Sequence, residues 1–363
     1  MKKALSLVLV LMVAFSALPA LADYFSGPSS VYSPELAQQA LSIAEGFFAP
    51  AMQQAVLMAQ GFRRAGIYNL ARPEGDTRHV AAYSVFVKNG DRDQVVIAVR
   101  YTGDGEWPLN MELMPGGDYE AGIAENFHLA AQDILDTQAA FLDGLNNPLF
   151  LLTGHSRGAA VANILGAKLT DRFGAENVYA YTFATPRTVR GEYPSYDNIF
   201  NVINPCDMVP MLPLEAWGFE RYGIDRVLPV DTADAAMLQA AKDAYARRTD
   251  KIGDFLVWQD GGQAMRDLID ACAALMPTVA DAYTQRHAVE HPGLAAEGEA
   301  GVTGSELLLL MFTSGDYSAL TAQENDFTPL LRAMLALSAR EDAAALTANH
   351  MPGTYGAWMA VAD

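Results

Sequence analysis

The sequence predicts an α/β fold in which a mostly parallel central sheet is flanked by helices, with a helical insertion or cap toward the C-terminus. Three observations carry that expectation. Short apolar runs alternate with helix-length runs through residues 80–204, the order that parallel crossovers require. Gln94–Thr102 (QVVIAVRYT) is apolar almost without interruption, as in a central strand covered on both faces. Residues 154–158 read Gly-His-Ser-Arg-Gly between a strand-like and a helix-like run, and such a sharp turn lifts a serine hydroxyl out of a sheet.

Taken in order, the chain opens with Lys2-Lys3, an apolar stretch Ala4–Phe15 and Ala20-Leu21-Ala22. These are the charged, apolar and small-residue regions of a secretory signal peptide over 1–22. Cleavage after Ala22 would expose Asp23, which is not the cysteine a lipid anchor needs. Ser33-Pro34 can supply the N-cap and first residue of a helix over Glu35–Phe48. A second helix, Ala51–Arg64, follows the break at Pro50. Val80–Lys88 and Gln94–Thr102 form a hairpin about Asn89-Gly90, a dipeptide that accepts the positive φ of tight turns. A loop rich in glycine and acidic residues spans Gly103–Asp118, then a helix runs from about Ile123 to Leu145. Pro148–Thr153 is a buried strand, and Ala159–Leu169 is a helix packed closely on the sheet. Val178–Ala184 and Ile199–Asn204 are further strands.

From Asp231 to about Arg340 the pattern turns helical, through Ala233–Arg248, Gln263–Val289 and Ser305–Phe312. Residues 23–363 are therefore expected to form one domain. Its core would cover about 76–230 plus 340–363, with a helical insertion over about 231–340.

The formal charge is −19 at pH 7. Such a surface repels nucleic acid and anionic bilayers, which argues against both as partners. After the leader no apolar run is long enough to span a bilayer. The two cysteines, Cys206 and Cys272, form no metal-binding spacing, and their pairing is open from sequence. No His-Glu-x-x-His or calcium-loop pattern occurs.

Ser156 is the candidate nucleophile. A serine hydroxyl needs a base, and in chains of this layout the order is serine, acid, histidine. Asp207 lies just past a strand, in Asn204-Pro205-Cys206-Asp207-Met208-Val209-Pro210, where an acid should stand. Asp197, before the strand, is the competitor. Three histidines follow: His287 and His291, four apart at a helix end, and His350 in the turn-rich Asn349-His350-Met351-Pro352-Gly353. His350 is placed as a loop histidine returning to the sheet edge. Two donors are needed for a tetrahedral oxyanion. The N–H of Arg157 is one. Thr102, at the end of its strand, is the other, through its N–H and hydroxyl.

Together these stretches resemble the class 3 lipases, the fungal lipase-like α/β-hydrolases. The family's strand ending Arg-Gly-Thr/Ser with a later Trp is matched by Arg100-Tyr101-Thr102 and Trp107. Its Gly-His-Ser-Leu-Gly-Gly/Ala is matched by Gly154-His155-Ser156-Arg157-Gly158-Ala159. Its Phe-Gly-x-Pro-Arg is matched by Phe183-Ala184-Thr185-Pro186-Arg187, and its Asp-x-Val-Pro-x-Leu-Pro by residues Asp207–Pro213. A late His followed by Tyr corresponds to His350 and Tyr355.

The resemblance covers roughly residues 35–230 plus 345–360. It implies an α/β-hydrolase fold and a secreted serine hydrolase of carboxylic esters, of lipase or esterase type, using Ser156, Asp207 and His350. It implies no cofactor or stable protein partner, transient contact with a lipid interface, and a lid over about Gly103–Tyr119. Another acyl hydrolase on the same residues (a phospholipase, thioesterase or peptidase) and an inactive lipase-like binding protein remain the alternatives. Tyr101 in place of Gly and Arg157 in place of Leu depart from the pattern.

Overall fold

A computed structural model of the chain describes residues 23–48, 50–68, 81–101, 125–190, 193–212, 215, 219–249, 255–271, 332–333, 335–337 and 339–362. The expected leader, the 103–119 segment and most of the expected insertion lie outside them.

Helix α1 (Pro34–Glu45) starts as expected, with Ser33 Oγ accepting the Leu36 N–H at 3.1 Å. Helix α2 (Pro50–Ala59) stops short of the expected Arg64. Gly61 takes φ +88°, and Phe62 N–H returns to the Leu57 carbonyl at 3.1 Å, so a glycine-dependent turn ends the helix. The basic residues that follow join an unexpected strand, β1 (Arg63–Tyr68). It lies at an edge of the sheet, where charged side chains discourage pairing with other chains.

Strands β2 (Tyr83–Lys88) and β3 (Gln94–Val99) form the expected antiparallel hairpin. Lys88 pairs with Gln94, so the connection is longer than a two-residue turn. Asn89 Nδ2 closes it by donating to Asp93 Oδ1 at 2.8 Å. The expected single helix after residue 123 is broken into α3 (Glu125–Thr137) and α4 (Ala139–Asp143). Gln138 at the break turns inward to donate to the Tyr83 hydroxyl at 2.9 Å.

Next come β4 (Leu149–His155), α5 (Arg157–Phe173), β5 (Val178–Phe183), the short β6 (Val189–Arg190) and β7 (Ile199–Ile203). Strands β8 (Phe219–Glu220) and β9 (Ile224–Val227) were not foreseen. Among the described residues the main sheet has seven strands in the order β1-β2-β3-β4-β5-β7-β9. It is antiparallel through β3 and parallel from β3 to β9. Strands β6 and β8 form a separate pair.

Each inner strand feeds two cores, which is why its apolar run has no gaps. Val95, Ile97, Val99, Phe150 and Leu152 face α3 and α5. Val96, Ala98, Leu149, Leu151, Tyr179 and Tyr181 face the opposite layer. That second layer contains α1, the final helix α8 (Pro352–Ala362) and α6 (Ala235–Thr249). Arg248 of α6 pairs with Glu45 of α1. Helix α6 therefore packs in the same layer as the helices of the sheet. A short helix, α7 (Ala345–His350), precedes α8.

Candidate active site

Strand β4 enters α5 through Ser156, whose φ of 57° and ψ of −125° lie in a region an L-residue rarely occupies. Close packing enforces that strain. A Cβ on Gly154 would stand 2.3 Å from the Gly158 carbonyl oxygen, and one on Gly158 would stand 2.3 Å from the Val99 carbonyl oxygen. Both glycines of the pentapeptide are thus required by backbone approach. The Ser156 N–H donates to the Phe183 carbonyl of β5 at 2.9 Å. The hydroxyl stands where the parallel strands end.

Ser156, His350 and Asp207 meet there. Ser156 Oγ is 2.9 Å from His350 Nε2, and His350 Nδ1 is 2.9 Å from Asp207 Oδ2. Asp207, 1 % exposed, accepts Nδ1–H in that contact, which fixes the tautomer. Nε2 is then left to accept from the serine hydroxyl. Asp207 Oδ2 also accepts from the Tyr355 hydroxyl at 2.8 Å, and Oδ1 accepts the Val209 N–H at 3.0 Å. Burial first, and the neighbouring Asp207 charge second, hold the Tyr355 phenol well above its ordinary pKa. It is a pure donor to the carboxylate.

His155 is buried beside them. Its ring lies 4.9 Å from that of His350 and edge-on to Tyr355 at 5.9 Å. Burial, then the His350 charge, push its pKa well below 6.5.

Other side chains fasten the loop that carries the acid. Arg221 donates to the Pro210 carbonyl at 2.7 Å, and Arg187 donates to the Met211 carbonyl at 2.5 Å. Trp258 Nε1–H reaches the Cys206 carbonyl at 3.0 Å, while the Cys206 thiol faces the Gly261 carbonyl at 3.4 Å. Burial raises that thiol's pKa to about 11, so it is no nucleophile at neutral pH.

Arg157 begins α5, and its N–H sits at the positive end of the helix dipole. Its side chain is 2 % exposed, with the guanidinium 5.5 Å from the Phe127 ring of α3. The charge that replaces the family's leucine is thus stacked against a core aromatic. Asp197, the competing acid, is exposed in the turn before β7. Thr102, His287, His291 and Cys272 lie outside the described residues, as do Trp107 and the expected lid.

Several site neighbours escaped the sequence reading: His155 as a partner of the base, Asn204 and Asn349 between acid and base, and Arg221 under the acid loop.

The family profile described as lipase (class 3) matches residues 96–217. A lipase from Rhizopus microsporus var. chinensis is similar in structure, with 17% identity and a TM-score of 0.44, covering 55% of this chain and 75% of that one. The Rhizomucor miehei lipase in its propeptide complex shows 16% identity and a TM-score of 0.44, over 60% of this chain and 80% of that one. The mono- and diacylglycerol lipase from Aspergillus oryzae shows 20% identity and a TM-score of 0.44, over 55% and 81%. From β3 through the Ser156 turn to the Asp207 loop, the chain is similar to the class 3 lipases, the stretch that their family profile matches.

Proposed function

We propose that the protein is an exported serine hydrolase of carboxylic esters, of the acylglycerol lipase or esterase kind, working through an acyl-enzyme. One observation carries the reading: the strained Ser156 hydroxyl, His350 and Asp207 form a continuous hydrogen-bonded series at 2.9 Å and 2.9 Å. His350 Nε2 takes the serine proton as Oγ attacks the ester carbonyl carbon. Asp207 stabilises the imidazolium that forms, while Tyr355 and the Val209 N–H hold its carboxylate in place.

The Arg157 N–H, with Thr102, would receive the oxyanion. Collapse of the tetrahedral species breaks the C–O bond, and His350 returns the proton to the departing alcohol. Water then attacks the acyl-enzyme, again giving its proton to His350, and releases the acid with Ser156 restored. Every atom needed comes from ester and water, and no cofactor enters. Export rests on the leader over residues 1–22. The same reading keeps 231–340 as a helical insertion within the one domain, with α6 packed in the helical layer of the sheet.

Labelling with a fluorophosphonate probe tests it. The native protein should label at Ser156, and Ser156→Ala should abolish labelling and lower ester hydrolysis by about 10⁴-fold or more. A folded native protein that neither labels nor hydrolyses p-nitrophenyl esters would overturn the proposal. A series of esters of rising chain length, with and without an emulsion surface, distinguishes lipase from esterase.

A further inference from the structure

Helix α7, which carries His350 at its end, is too short to orient itself. It has six residues and no side-chain N-cap bond, and such a helix has no stability of its own in water. Its last carbonyls have no partners inside the helix and must find donors elsewhere. Two consecutive ones find them on different strands. The Asn349 carbonyl accepts from Asn204 Nδ2 at 3.0 Å, just beyond the end of β7. The His350 carbonyl accepts from His155 Nε2 at 2.8 Å, the last residue of β4. The two donors are 0% and 5% exposed.

Asn204 does more than cap a helix. Its Oδ1 accepts the Cys206 N–H at 3.0 Å, and its own carbonyl accepts the Asp207 N–H at 3.0 Å. Its Nδ2 also reaches Asn349 Oδ1 at 3.3 Å. One residue therefore grips the backbone of the acid and the backbone beside the base. His155 has a matching constraint. A carbonyl partner cannot donate, so Nε2 must carry the ring's proton, and burial keeps the ring neutral.

We propose that Asn204 and His155 are positioning residues that sling the His350 backbone between the acid strand and the nucleophile strand, and so set the Ser156–His350–Asp207 spacing. This rests on the catalytic reading of those three residues. Displacing α7 by about 1 Å would stretch both 2.9 Å bonds, and a misplacement of that size costs on the order of 10²-fold in rate.

The test uses the full chain and a soluble p-nitrophenyl ester. Asn204→Asp keeps the shape but turns a donor into an acceptor facing two oxygens. His155→Phe keeps a ring without a donor, whereas His155→Gln keeps a donor. The first two should lose about 10²-fold in kcat with KM within about twofold. His155→Gln should recover part of the loss. The double variant should be no worse than its more damaged parent, since both act on one helix end.

A second readout does not depend on turnover. The downfield proton resonance of the His350–Asp207 hydrogen bond should be present in native protein and Ser156→Ala, and lost or shifted in Asn204→Asp and His155→Phe. If Asn204→Asp does not fold, Asn204→Ser takes its place. Folded variants with kcat within about twofold of native and an unmoved resonance would overturn the proposal. A resonance that moves in the variants as expected, with a native protein that shows no turnover, would leave the mount standing and sink the catalytic reading instead.

Discussion

The two halves of the candidate site are built by different physics. The nucleophile side, residues 154–158, is held by backbone contacts within one turn and against the neighbouring ends of β3 and β5. The acid–base side joins Asp207 to His350 across 143 positions of chain. Polar side chains hold it: Asn204, Asn349, His155, Tyr355 and Arg221. Steric enforcement needs small residues at fixed spacing, so it leaves a short motif. Polar enforcement needs donors and acceptors brought together from anywhere, so it leaves none.

If that contrast is right, the two sides fail differently. The largest effect is expected on the steric side. Gly158→Ala puts a methyl 2.3 Å from the Val99 carbonyl oxygen, and the turn or the β3 end must move. A loss of about 3 kcal/mol is expected, measured as a fall in the urea midpoint. A neutral result would mean that the elbow is pliable and that the contrast is wrong.

On the polar side, Tyr355→Phe removes one of the donors to Asp207 Oδ2. The fold should survive while kcat falls about tenfold, corresponding to about 1.4 kcal/mol for a bond to a buried charge. Equal losses of stability and rate in both variants would erase the distinction between the two halves.

Acid should weaken the fold through two imidazoles, one on the acid–base side and one on α3. His155 and His128 are both held below their ordinary pKa chiefly by burial, His128 at about 4. The unfolded chain therefore binds protons that the folded one refuses. Stability should be full above about pH 6.5 and decline as pH falls from there toward 4. Thermal melts of the native protein and His128→Gln across that window measure it, and the variant should show the shallower decline. A native Tm that is flat down to pH 4.5 would contradict the burial of neutral imidazole at His155 and His128.

The smallest effect concerns Ala184, at φ 53° just past β5, where the family pattern has glycine. A left-handed alanine costs about 1–2 kcal/mol, part of which glycine recovers after its larger unfolded-state entropy. Ala184→Gly should gain about 0.5 kcal/mol, seen as a small rise in Tm. A drop would show that the alanine methyl contributes packing that outweighs its strain.

The sequence by itself determined the layered α/β arrangement, because strands buried on both faces must be apolar throughout, and β3, β4 and β5 are. It also determined the Ser156 turn, because only glycine tolerates such backbone approach at 154 and 158. It pointed to Asp207 through a local pattern of loop residues after a strand. It did not reveal β1 or β9, edge strands whose polar or exposed residues carry no burial pattern. Nor did it reveal the break at Gln138, where one buried hydrogen bond to Tyr83 outweighs helical continuity.

Only the tertiary structure decided which side chains surround His350. A hydrogen-bonded mount is defined by distances between strand ends and a helix end, and sequence separation carries no record of them. Asn204 and His155 read as ordinary motif neighbours until β4, β7 and α7 bring their donors to two adjacent carbonyls.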